Sequence, residues 1–325
     1  MAMTHRWLWM QKRFLKIVVP MLRHASPAVA AALLDGFGWI DYAVFPGPKR
    51  AYLDALERVR RDIDVDWDNQ AVARRMATGL IHWRCRDRLL DNLGDQEALA
   101  RFQVQGRGHL EAAYARRRGV ILLGNHFGCH LHPAHWLFRE RYPLRLFMER
   151  PRNTSRYLSA QLDTTGPLGQ EKLFISRRST PTEAAGSILR ASRILKAGMI
   201  LKIASDVRWH GAHTAPGHFL GSTYLFSTTW VVLAAMTGAA VVPVFCRPDD
   251  RGSYLLEFLP DFRVAPEVAR TTQAIAAHVQ RGLDAIAERV IAHPGQSNDY
   301  FEWPRPEIAL NRPAQDSAGF RAVAG

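Results

Sequence analysis

Cysteine is scarce in this chain: Cys85, Cys129 and Cys246 are the three in 325 residues, and they lie far apart. An odd, widely spaced set offers neither a disulfide framework nor a Cys-x-x-Cys metal knuckle, which points to a reducing, cytosol-facing location. Long apolar runs are missing too. A spanning helix needs roughly 18 to 20 continuous apolar residues, and here Lys16, Pro20, Arg23 and His24 break the first candidate while Asp35 and Asp41 break the second. No transmembrane span is expected, nor a cleaved secretory leader, because apolar sequence continues well beyond where the core of such a leader ends. There is no Gly-Lys-Ser or Gly-Lys-Thr phosphate loop, and Gly106-x-Gly108 lacks a third glycine and a legible strand before it, so nothing calls for a nucleotide or other cofactor. No internal repeat is present.

Lysine is rare as well: 37 of the 43 basic residues are arginine, whose fork grips phosphates and carboxylates bidentately. The formal charge of +13 asks for an anionic partner, since such self-repulsion costs stability that a neutral sequence would avoid. Phosphorylated lipid, an acidic carrier protein and nucleic acid all satisfy the charge. Nucleic acid is set aside, because no aromatic-and-basic recognition motif or helix-turn-helix pattern accompanies it.

Residues 5 to 23 mix Trp7, Trp9, Phe14, Leu15, Ile17 and Met21 with Arg6, Lys12, Arg13, Lys16 and Arg23. That is the make-up of an interfacial amphipathic helix, with an ordinary helix packed on the domain as the alternative. A second apolar stretch, Ala28 to Val44, can rest on a bilayer or under the first helix. From Ala51 to Tyr114 apolar residues recur at helical intervals. Short apolar runs at Val120–Gly124, Leu144–Met148, Leu173–Ile175, Met199–Ala204, Ala240–Phe245 and Tyr254–Leu259 read as strands, most of them separated by helical stretches. One helix is expected from Thr228 to Gly238 and another through Ile275, Val279, Leu283, Ile286 and Val290. The fold class is thus α/β, a mostly parallel central sheet flanked by helices. It comprises a helical, membrane-apposed region over residues 1–95, the α/β domain over 96–305, and a flexible tail over 306–325.

The strand Val120–Gly124 delivers His126 to the edge where such sheets do chemistry, and Gly128 lets the chain turn away. Glu149 and Asp206 each follow another predicted strand. If those strands run parallel to the first, both acids share that edge with His126; otherwise each is an exposed loop carboxylate. Four histidines, His126, His130, His132 and His135, fall within ten residues, and His126 and His130 would share a face if a helix began that early. With no His-Glu-x-x-His and no third ligand at a telling interval, polar histidines lining a cleft are the better reading than a metal site.

The segment Val104 to Gly128, with His126-Phe-Gly at its end, resembles the first block of the lysophospholipid acyltransferase superfamily, nearest its bacterial lipid A late acyltransferase branch. Arg150-Pro-Arg-Asn153, Gly217-His-Phe-Leu-Gly221 and Val241-Val-Pro-Val-Phe245 resemble the second, third and fourth blocks in order and spacing. The resemblance implies transfer of a fatty acyl group from an acyl carrier protein or coenzyme A thioester to a hydroxyl or amine of a lipid or lipid-like acceptor. It implies His126 as general base, oxyanion donors in the amides near Phe127 and Gly128, anion binding by Arg150 and Asn153, and acceptor contacts at Phe219 and Gly221. It also implies a peripheral or N-terminally anchored place on the cytoplasmic face of the bacterial inner membrane. One position departs from the pattern. Where the family carries Asp or Glu five residues after the histidine, this chain has Leu131, so either Glu149 or Asp206 supplies the carboxylate, or the protein is a lapsed relative that binds lipid or carrier protein without transfer.

Overall fold

The computed structural model describes residues 17–22, 24–91, 93–149, 155–163, 180–209 and 213–303. Arg150, Arg152, Asn153, the expected strand Leu173–Ile175 and the tail lie outside them. Helices α1 (Pro27–Val44), α2 (Pro46–Arg60), α3 (Asn69–Cys85) and the short α4 (Asp95–Leu99) lead into the α/β part. There β1 (Phe102–Gln105), α5 (Arg107–Ala115), β2 (Val120–Gly124), α6 (His132–Arg139), β3 (Leu144–Phe147), α7 (Arg156–Leu162), α8 (Pro181–Lys196) and β4 (Ile200–Ala204) follow in turn. The hairpin strands β5 (Thr214–Phe219) and β6 (Ser222–Ser227) precede α9 (Thr229–Thr237), β7 (Ala240–Pro248), β8 (Tyr254–Phe258), α10 (Thr272–Ala292) and the single turn α11 (Asn298–Phe301).

Six strands form one sheet in the order β1-β8-β7-β2-β4-β3. The four from β7 to β3 run parallel, and β8 is antiparallel to β7. Every residue of β2 is buried, as a strand covered by helices on both faces requires. Alternation sorts its side chains into two cores. Ile121 and Leu123 join Leu201, Ile203 and Trp230 on one face, while Val120 and Leu122 join Leu144, Ile200 and Val242 on the other.

Two features differ from the reading of the sequence. The helical stretch Ala51 to Tyr114 is interrupted by β1, whose four residues alternate too briefly to stand out against the helical pattern around them. Gly106 therefore does follow a strand, though the third glycine of a dinucleotide loop is still lacking. Gly217-His-Phe-Leu-Gly221 is one arm and the turn of the β5–β6 hairpin, with Phe219 opposite Ser222. Leu220 and Gly221 have φ of 47° and 79°, the two left-handed residues of a tight primed turn. Pro216 and Gly217, poor strand formers, hid this strand from the pattern.

On α1 the acids turn inward: Asp41 is buried and Asp35 pairs with His82 at 2.8 Å. Val29, Leu33, Trp39, Ile40 and Val44 are left more than half exposed, and Ile17 and Met21 are exposed just upstream. No single described helix is long and apolar enough to cross a membrane; α1 and α2 meet at a bend of 93°.

Candidate active site

Sheet register brings two distant residues together. Gly124 of β2 is the partner of Ala204 in β4, so the next two residues of each strand, Asn125-His126 and Ser205-Asp206, leave the sheet side by side. Ser205 ties the exits by donating from its amide (2.9 Å) and its hydroxyl (3.2 Å) to the Gly124 carbonyl. His126 Nδ1 lies 3.0 Å from Asp206 Oδ1, while the His126 amide donates to Asp206 Oδ2 at 2.7 Å. The Tyr300 hydroxyl, from α11, donates to the same Oδ2 at 2.7 Å. The Asp206 carboxylate has no exposed surface, whereas the imidazole is 41% exposed.

Burial would push the Asp206 carboxyl up, but the imidazole's charge, the Nδ1 and Tyr300 hydrogen bonds and the His126 amide together hold it below the ordinary carboxylate value. An ionised Asp206 can only accept, so the shared proton belongs to Nδ1 and Nε2 is the nitrogen able to take one. His126 also lines a cleft walled by Gly79, His82 and Trp83 of α3 and by Gln296. A buried acid, an oriented imidazole and an open cleft are the arrangement that a general base requires.

Of the two candidate carboxylates, Asp206 is the one at Nδ1. Glu149 is exposed and follows β3, the outer strand beyond β4, one strand farther from β2. Leu131 is 2% exposed and belongs to the core that α6 packs against the sheet, so hydrocarbon surrounds that position.

The loop after β2 serves itself rather than an oxyanion. The Phe127 amide donates to Asn125 Oδ1 (3.0 Å), the Gly128 amide to the Gln296 carbonyl (3.0 Å) and the Cys129 amide to the Cys246 carbonyl (2.7 Å). The expected donors near Phe127 and Gly128 are thus already committed, because this loop must be pinned to hold the histidine. Gly128 is needed for that pinning: φ is 54°, and a Cβ there would stand 2.4 Å from the Cys246 carbonyl oxygen.

Other expected contact residues lie behind the pair. The Phe127 ring is buried against Phe245, and Phe219 is buried with its ring on Tyr300 and Trp303. Gly221 abuts the chain between α2 and α3, where a Cβ would meet Asp62 at 2.1 Å. Of the histidines, His126 and His130 have rings 5.2 Å apart, but a turn brings them together, since the helix begins only at His132. His132 and His135 are core residues, the latter 2.8 Å from the buried Arg139 guanidinium. Among the described residues no three His, Cys, Asp or Glu side chains are grouped to hold a metal ion. Tyr300 was missed in the sequence; apart from being aromatic, it carries no spacing signal linking it to His126.

Comparison with known proteins places the chain by its sequence. A 192-residue stretch is 28% identical to the phosphatidylinositol mannoside acyltransferase of Mycobacterium tuberculosis, in each of two strains. It covers 59% of this chain and 56% of that protein, so the chain spans little more than half the length of the curated relatives it matches. The sequence profile of the bacterial lipid A biosynthesis acyltransferases matches residues 63–296, from the end of α2 to Gln296 beside the cleft. With the matched span holding both His126 and Asp206, the chain belongs to the bacterial lipid A biosynthesis acyltransferase family.

Proposed function

We propose that this protein transfers a fatty acyl group from an acyl carrier protein or coenzyme A thioester to a hydroxyl or amine of a lipid or lipid-like acceptor. The His126–Asp206 pair, with His126 lining the cleft and Asp206 buried behind it, carries the reading. In the reaction the acceptor oxygen or nitrogen attacks the thioester carbonyl as its proton passes to His126 Nε2. The carbon–sulfur bond then breaks, and the departing thiolate takes that proton from the imidazolium, restoring the base. Asp206 balances the imidazolium charge while it exists.

Family membership and the relatives' printed names support an acyl donor and a lipid acceptor. The outward apolar face of α1 and the excess of arginine support work at an anionic membrane surface, on the cytoplasmic side of the bacterial inner membrane. An acidic carrier protein suits the same charge. The test is acyl transfer by the purified protein, with thioester donors of both kinds offered alongside total bacterial lipid. His126→Ala should lower the rate at least about 10²-fold without unfolding the protein. Transfer that persists in this variant removes His126 from the mechanism, and a wild-type protein that binds donor without turnover is the lapsed relative instead.

A further inference from the structure

Lys202, one of the few lysines, sits in the middle of β4, directly opposite Leu122 of β2, and is 6% exposed. Its side chain runs along the sheet toward the active edge. Nζ reaches 3.0 Å from where a Cβ on Gly124 would stand, so the missing side chain of Gly124 is the room the ammonium occupies. Among the described residues it makes no hydrogen bond and no ion pair within 4.0 Å. A cation so enclosed is costly unless a charge answers it, and four residues on along the same segment is the buried Asp206. The field of Asp206 favours the charged lysine; burial outweighs it and brings the ammonium down to about 8.

Among the described residues, the titratable groups around the pair are His126, His130, His82 and Cys129 on the cleft side, Tyr300 from α11 and Lys202 from β4. Of these, Lys202 is the cation within the sheet. Asp206 alone, dry and close to Nδ1, would stabilise the imidazolium and hold the base protonated. We propose that Lys202 is a positioning residue acting through Asp206: its ammonium offsets part of the carboxylate's charge, so that His126 is oriented by Asp206 yet stays a neutral base at physiological pH. This rests on the transferase reading for its purpose, though not for its physics.

Imidazole nitrogen–proton correlation spectra of the full chain in detergent micelles, recorded across pH, test it without any turnover. In Lys202→Met the midpoint of the His126 titration should rise by about half a unit or more, because a cation that opposed the imidazolium is gone. Lys202→Arg, which keeps the charge, should hold the wild-type midpoint. The wild-type His126 signals should also show a second inflection near pH about 8, as Lys202 loses its proton. In the acyl-transfer assay the acid limb of kcat should move upward in Lys202→Met with little change in KM. An unmoved midpoint in Lys202→Met overturns the proposal; should that variant not fold, an unmoved midpoint in Lys202→Gln overturns it equally. A protein that shows the His126 shift but transfers no acyl group retains the coupling and refutes the transferase reading instead.

Discussion

Asp206 holds its partners through three hydrogen bonds, two from His126 and one from Tyr300, and each should be visible in kinetics. Asp206→Asn keeps the shape but lets the imidazole take the wrong tautomer, so turnover should fall about 10² to 10⁴-fold. Tyr300→Phe removes one donor to a buried carboxylate and should cost on the order of tenfold in kcat. Stability carries the same signature. Because the folded Asp206 carboxyl titrates below its unfolded value, its contribution is in place at neutral pH and disappears as pH falls through the folded value. Asp206→Asn should flatten that acid limb in thermal melts read against pH. Leu131 is a different matter. An acid placed there enters a packed core rather than the cleft, so Leu131→Glu should lower the melting temperature and leave turnover no higher.

Among the elements, those with a long or wholly apolar signature were legible in the sequence, and those held by tertiary contacts were not. β2 runs over the same residues as read, because the six apolar or small residues between Arg118 and Asn125 suit a doubly covered strand. The helix ending at Gly238 was equally plain. β1 was lost to its brevity, and β5 to Pro216 and Gly217, which the hairpin tolerates because its partner strand β6 fixes the register. At the site, His126 and two alternative acids were legible as residues following apolar strands, and only the pairing of β4 with β2 separates Asp206 from Glu149; Tyr300 was not legible, since a contact spanning 94 residues leaves no period to read. The same scale holds the next expectation. If the exposed row Val29, Leu33, Trp39, Ile40 and Val44 faces lipid, then Trp39→Ser with Ile40→Ser should release the protein from vesicles in a sedimentation assay. The melting temperature should not drop, because both side chains are already outside the core.

Across the molecule, the charge of +13 and the apolar face of α1 would act together under the proposed membrane role: charge would gather the protein at an anionic surface and the apolar side chains would hold it there. Raising salt from 50 to 500 mM should therefore weaken binding of the intact protein to vesicles containing about a third anionic lipid, and leave any binding to neutral vesicles unchanged. A protein released only by detergent would instead be inserted. The pinned loop after β2 gives the molecule an order of assembly as well. Its Gly128 amide is held by Gln296 and its histidine is braced by Tyr300, residues made more than 150 positions later on the ribosome. The parallel strands around β2 have all been synthesised well before that stretch emerges. The nascent protein thus carries its histidine through the synthesis of all six sheet strands without the brace, which is set only when the turn α11 docks against the loop.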